Sequence, residues 1–274
     1  MMKRLSLILL PAFLVFHAAA QKGIDALVQA EKNFATYSVT HSTKEAFQAF
    51  IDSNSIMFED GKPVKAIDFW NKREKRPGIL NWRPQFAEIS AAGDFGYTTG
   101  PWTFQPSAND TVVARGQYAT VWYLTMNNEW KFLVDLGVEN TPPNNSGTVS
   151  IINTPKESDK KVITPVYSMV AAENSFIRLL AKNRSKAYQK YLSSECILNR
   201  NGAAPAVAAN DQRTVIDSTP SFAKHGMDSW GVSPAGDIGY TYGTTVTSGK
   251  TENYLRVWRK EKSGWKIAME VLRY

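Results

Sequence analysis

Two carboxylates stand inside apolar strand-like runs, where an acidic group needs a reason to be. Asp135 lies in Phe132-Leu133-Val134-Asp135-Leu136, and Glu270 lies in Ile267-Ala268-Met269-Glu270-Val271. Such a residue either meets water or an ion pair on an outer face, or lines a cavity with a raised pKa. In the cavity it suits a general base or a ligand anchor. Strict alternation puts Asp135 on a face with Lys131 and Leu133, opposite Trp130, Phe132, Val134 and Leu136. His225 titrates near neutral pH and can shuttle protons, or it is a hydrogen-bonded structural residue. His41 falls in an interhelical loop and carries less weight. Trp82, Tyr97, Trp122, Tyr240 and Trp258 head a large aromatic set that also includes Trp102, Tyr123, Tyr242 and Trp265. Aromatics in such numbers line a pocket for an apolar or ring-bearing ligand, or simply pack sheet against helix.

Other chemistries lack their residues. There is no Gly-x-x-x-x-Gly-Lys phosphate loop, no His-Glu-x-x-His or paired-cysteine zinc spacing, and no Gly-x-Ser-x-Gly elbow. No metal site or cofactor is therefore expected. Cys196 is the only cysteine, so no intramolecular disulfide can form, and its setting in Glu195-Cys196-Ile197-Leu198 reads as a small buried hydrophobe.

The elements that must position these residues come in one order, used twice. Apolar residues at helical spacing (Ile24, Leu27, Val28, Phe34, Ala35) predict a helix over 24–37, with Glu31 and Lys32 outward. Ser42 or Thr43 can cap a second helix over 44–51, where Ala46, Phe47 and Phe50 face inward. A short strand at 56–58, a turn at 59–63 and a third helix over 64–73 follow. Strands are then expected near 80–90, 95–104, 111–125 and 129–138, with Asn127-Asn128 as a tight turn. Ala92-Gly93-Asp94-Phe95-Gly96-Tyr97-Thr98-Thr99-Gly100 recurs as Ala235-Gly236-Asp237-Ile238-Gly239-Tyr240-Thr241-Tyr242-Gly243, with seven of nine positions identical, 143 residues on (235 minus 92). Ala172-Glu173-Asn174-Ser175-Phe176 echoes Ala30-Glu31-Lys32-Asn33-Phe34, and Val257-Trp258 echoes Val121-Trp122. A repeat this long means two copies of a domain. The expected layout is a leader over 1–20, a first domain over 21–140, a polar proline-bearing linker over 141–164 and a second domain over 165–274.

This α+β order, with Trp82-Arg83-Pro84, the Gly-Asp-x-Gly-Tyr-Thr-x-Gly run, the Tyr118–Trp122 strand and Trp130-Lys131, resembles the SnoaL-like or nuclear-transport-factor-2-like superfamily. The likeness is closest to a branch of bacterial domains of unknown function, and it covers nearly the whole chain after the leader. It implies two tandem cystatin-like cones, each with helices on a curved antiparallel sheet around a cavity, paired sheet to sheet as an intrachain pseudo-dimer. The second copy departs from the pattern: His225 stands where the first has Trp82, and Met227 where it has Pro84. The two pockets should therefore differ. The Tyr and paired-Asp set of the ketosteroid isomerase relatives cannot be placed here residue by residue, so that activity is not carried over.

The opening Met1-Met2-Lys3-Arg4, the apolar run to Phe16 and Ala18-Ala19-Ala20 read as a cleaved export signal. The expected product is a periplasmic or extracellular protein without stable membrane insertion. Net charge is +7, or +5 once Lys3 and Arg4 are gone (7 minus 2), and the basic residues are scattered, which argues against nucleic acid as a partner. The expected role is binding of a small, largely apolar ligand. The alternatives are a cofactor-free proton-transfer enzyme (isomerase, dehydratase or cyclase) using Asp135 or Glu270 with Tyr97 or His225, and a structural or interaction module.

Overall fold

A computed structural model describes residues 22–140, 151–152 and 167–274. The expected leader lies outside these residues, as does the expected linker apart from Ile151 and Ile152. No helix among the described residues is long and apolar enough to cross a membrane.

The chain is α+β, with two sheets that each carry helices. The N-terminal half contains α1 (Ile24–Thr40), α2 (Thr43–Phe50), β1 (Ile56–Glu59), β2 (Lys62–Lys65), α3 (Ala66–Asn71), β3 (Ile79–Trp82), β4 (Phe86–Ile89), β5 (Phe95–Gln105), β6 (Ala114–Leu124) and β7 (Trp130–Glu139). After β8 (Ile151–Ile152), the C-terminal half contains α4 (Tyr167–Lys182), α5 (Arg184–Tyr191), β9 (Leu192–Arg200), α6 (Ala209–Ser218), β10 (Lys224–Val232), β11 (Ile238–Thr247), β12 (Lys250–Glu261) and β13 (Gly264–Leu272). The first sheet runs β2-β1-β7-β6-β5-β4-β8 with β3 also on β5, and the second runs β10-β11-β12-β13-β9. Pairing is antiparallel except where β1 meets β7, β8 meets β4 and β9 meets β13.

Local chemistry accounts for the boundaries. Ser42 caps α2: its Oγ accepts from the Glu45 backbone N–H at 3.2 Å and donates to the Glu45 carboxylate. The strand expected over 80–90 divides into β3 and β4, because Pro84 has no N–H to give β5 and the register slips by one residue there. Gly100 faces this bulge, where a Cβ would lie 2.1 Å from the Arg83 carbonyl oxygen. The third helix is shorter than expected, since Lys62–Lys65 pairs with β1 as β2. The linker segment 151–152 pairs with Phe86 and Ala87 of β4. Gly93 and Gly236 take positive φ (71° and 73°) in the repeated turn, as the Gly-Asp pattern requires. Asp237 does not close its own turn with both oxygens: Oδ2 accepts from the Ala91 N–H of the N-terminal half at 2.7 Å.

Strict alternation fails in β7, with consequences for the site. A bulge lies opposite Val121 and Trp122, so that Val121 faces Val134 while Trp122 faces Phe132. Leu133 and Val134 therefore both turn to one core, and Phe132 and Asp135 share the helix side. The same bulge recurs opposite Val257 and Trp258, turning Ala268 and Met269 one way and Ile267 and Glu270 the other.

Three cores result. One contains Val121, Val134 and Leu136 of the first sheet together with Leu255, Val257 and Met269 of the second, so the sheets pack face to face. The others lie between each sheet and its own helices, around Phe34 and Trp122 and around Phe176 and Trp258.

Candidate functional site: a cavity in the N-terminal cone

α1 lies over the concave face of the first sheet and brings Phe34 into an aromatic cluster, with ring centroids 4.8 Å from Phe47, 4.7 Å from Trp82 and 5.9 Å from Phe132. Beyond this cluster a cavity of about 650 Å³ opens, walled by Phe34, Phe47, Trp70, Trp82, Trp102 and Tyr118. Asp135 contributes a carboxylate to it. Lys44 of α2 and Arg73 and Arg76 after α3 line it as well. The C-terminal half adds Asn201, Glu252 and Arg273, so this cavity is built from both halves. Arg273 is held there by its Nε, which donates to the Gly137 carbonyl oxygen at 2.6 Å.

Asp135 Oδ2 accepts from the Thr120 hydroxyl at 2.7 Å. Burial pushes its pKa up to about 6, against the Thr120 hydrogen bond and the charge of Arg273. Behind the cavity wall, Glu31 of α1 is fully buried, contrary to the outward position that helical spacing implied. Its carboxylate accepts from Trp82 Nε1, Trp122 Nε1 at 2.9 Å and the Thr98 hydroxyl. Burial raises its pKa to about 7; those three donors oppose the rise and Asp135 adds to it. The Tyr118 hydroxyl is buried at the cavity and has no hydrogen-bond partner. Burial raises its pKa well above the usual range, and contact with the Thr98 hydroxyl, which already donates to Glu31 and accepts from Trp122, opposes the rise.

The C-terminal half has the same frame with a different filling. Glu173 of α4 accepts from Trp258 Nε1 at 3.0 Å and the Thr241 hydroxyl at 2.9 Å, as Glu31 does from Trp122 and Thr98. It also accepts from the Tyr254 hydroxyl at 2.9 Å and from Arg256. Arg256 bridges onward to Glu270, which takes Arg200 and the Tyr188 hydroxyl (2.8 Å) on its other oxygen. Burial works against the Glu270 charge, but the two guanidiniums outweigh it and hold the pKa down at about 2. His225 Nε2 accepts from Arg256 at 3.0 Å. Burial and the Arg256 charge keep that imidazole neutral, well below its usual range.

The residues singled out from sequence thus separate into four places. Asp135 and Trp82 line the cavity, while Trp122 and Trp258 lie beneath their sheets' helices and hold the buried glutamates. Tyr97 and Tyr240 belong to the zone between the sheets and do not reach the cavity. The Tyr97 hydroxyl donates to Glu88 at 2.9 Å, and Glu88 pairs with Arg259 of the other half at 2.9 Å. Glu270 and His225 sit in the C-terminal network, away from the cavity. Cys196 is buried, and that burial raises its thiol pKa. Sequence reasoning missed Glu31, Tyr118 and Arg273 as site residues. The repeated Ala-Glu-x-x-Phe at 30–34 and 172–176 was the available signal for Glu31. Among the described residues, no three His, Cys, Asp or Glu side chains converge to hold a metal ion.

No family model and no curated protein matches the chain. Solved structures similar to it include an NTF2-like protein from Cytophaga hutchinsonii, at 16% identity and a TM-score of 0.32 over 42% of this chain and 96% of that one. A ketosteroid isomerase-like protein from Erwinia carotovora atroseptica is 17% identical, with a TM-score of 0.31 over 39% of this chain and 94% of that one. A protein of unknown function with a cystatin-like fold from Nostoc punctiforme is 9% identical, with a TM-score of 0.33 over 41% and 87% respectively.

Proposed function

We propose that this is an exported tandem SnoaL-like protein that binds a small, largely apolar molecule in the N-terminal cone, its two cones paired sheet to sheet within one chain. The observation that carries the reading is the contrast in filling. One cone holds a cavity of about 650 Å³ walled by eight aromatics, while the matching space of the other is taken up by Arg200, Arg256 and His225. Asp135, Trp82 and Trp102 contact the ligand, and Trp122 supports the wall through Glu31. Glu270 and His225 serve the fold of the C-terminal half.

The test is native mass spectrometry of the protein purified from its host, with 2-naphthalenemethanol titrated against tryptophan fluorescence in parallel. The expected result is a retained small molecule, or saturable quenching by the neutral probe that Trp102→Ala weakens. An apo mass together with no saturable quenching would count against the reading.

A second reading, proton-transfer catalysis, is favoured by one observation. A cavity carboxylate with a pKa near 6 is matched to general-base work near neutral pH. Asp135 would be the base, and Tyr118, not Tyr97 or His225, the only tyrosine or histidine hydroxyl or imidazole lining the cavity among the described residues. An Asp135→Asn variant that kept full turnover of an identified substrate would remove this reading.

A further inference from the structure

The two cones can be superposed through their ladders, and the superposition puts a cation where the first cone has space. Thr120 pairs with Asp135 across β6 and β7, and Arg256 pairs with Glu270 across β12 and β13. These are matching positions beside matching bulges. The Arg256 guanidinium lies 4.6 Å from the Phe176 ring centroid and 4.0 Å from that of Tyr254, between the carboxylates of Glu173 and Glu270. Every part of this cradle has a counterpart in the N-terminal cone: Phe34, Tyr118, Glu31 and Asp135. Only the guanidinium is missing, because residue 120 is threonine.

We propose that the N-terminal cavity recognises a ligand bearing a cationic nitrogen, an ammonium or amidinium on an aromatic or apolar body, seated against Phe34 and Tyr118 and paired with Asp135. The proposal rests on the reading of the cavity as a ligand site and names the ligand's chemistry. In the C-terminal cone the chain supplies the cation itself, through Arg256. In the N-terminal cone the molecule that enters supplies it. Aromatic faces and a desolvated carboxylate together are the recognised way to hold an organic cation.

Three of the cavity's cations are engaged elsewhere, and on Asp135 only the charge of Arg273 acts at longer range. Trp82 Nε1 already occupies Glu31, so Asp135 is the pairing group. Asp135 has the Thr120 hydroxyl as a partner and no ion pair among the described residues. Arg273 is tied to the Gly137 carbonyl, Arg73 pairs with Glu59, and Lys44 donates to the Arg73 carbonyl oxygen at 2.5 Å. The Tyr118 hydroxyl, buried and without a partner, offers the ligand a polar contact beside the charge.

The experiment compares 2-naphthylmethylamine, a cation at pH 8, with its neutral analogue 2-naphthalenemethanol on the chain from residue 21 onward, by calorimetry and tryptophan quenching. At that pH Asp135 is ionised. The amine should bind about 30-fold more tightly than the alcohol, the size of a desolvated cation–π and ion-pair preference. Asp135→Asn should abolish the preference, with amine affinity falling to that of the alcohol measured on the same variant. Thr120→Arg, which restores in this cone the guanidinium of the other, should block the amine while circular dichroism stays unchanged. Equal binding of amine and alcohol, or a preference that survives Asp135→Asn, overturns the cation assignment and leaves the cavity reading standing. Failure of both probes to bind overturns the two together.

Discussion

The two halves share a buried frame and differ in what it encloses. In each, a glutamate on the first helix takes a tryptophan N–H and a threonine hydroxyl from the sheet, under a phenylalanine one turn further on. The second cone then adds Arg256 and Arg200, and the acid on the last strand becomes Glu270 with both oxygens paired. The first has Thr120 and Asp135 at those positions, and a chamber remains. A buried carboxylate needs a counter-charge or must hold its proton. The C-terminal cone meets that demand from within, and Glu270 stays ionised. In the N-terminal half the charge of Arg273 meets it only in part at Asp135, and both Glu31 and Asp135 shift upward.

Removing the internal cation should break this difference most severely. Arg256→Leu leaves Glu173 and Glu270 facing each other with only Arg200 nearby, and should cost about 3–5 kcal/mol in denaturant unfolding. Arg256→Thr combined with Glu270→Asp recreates the Thr120–Asp135 pair, and should recover part of that loss.

The second test is pH. The Glu31 pKa rises from 4.5 to about 7 on folding, so the folded state binds the proton more tightly and stability falls as pH climbs from about 4.5 to 7. The Glu31 share of the fall should be about 3 kcal/mol, and Glu31→Gln should remove that share while the Asp135 share, below about pH 6, remains. Glu270 behaves in the opposite sense. Its pKa drops from 4.5 to about 2, so its contribution is complete above pH 4.5 and is lost as pH falls toward 2. Unfolding measured from pH 2 to 8 in the wild type, Glu31→Gln and Glu270→Gln separates the two slopes.

A smaller effect concerns the tryptophan donors. Trp122→Phe and Trp258→Phe each remove one hydrogen bond to a buried carboxylate and should cost about 1–3 kcal/mol. Loss of Trp122 should also raise the Glu31 pKa further, whereas Glu173 keeps Arg256. A pH shift of equal size in both variants would contradict the contrast between the cones.

The smallest effect falls on the repeated turns. Asp237→Asn weakens a charge-assisted bond to the Ala91 N–H and should cost about 1 kcal/mol. Asp94→Asn loses only a 3.6 Å surface pair with Lys22 and should stay within about 0.5 kcal/mol.

Much of the architecture was readable from residue order. The repeat, the order of helices and strands, the Ser42 cap and the turns at Gly93 and Gly236 all follow from local steric and hydrogen-bonding preferences that a short stretch declares by itself. Asp135 was legible as unusual for the same reason, a charge within an apolar run. Which way Asp135 faces was not, because the bulge at Leu133 inverts the alternation and forms only when β6 and β7 pair. Glu31 was misplaced on the helix exterior, since helical spacing gives a face but not the two indoles and the hydroxyl that make burying a carboxylate tolerable. Those donors come from residues 82, 98 and 122, distant in the chain. The filling of one cone and the opening of the other rest on whether position 120 or 256 can reach both carboxylates at once. That is a matter of three-dimensional distance between strands and helices, so tertiary structure alone decided it.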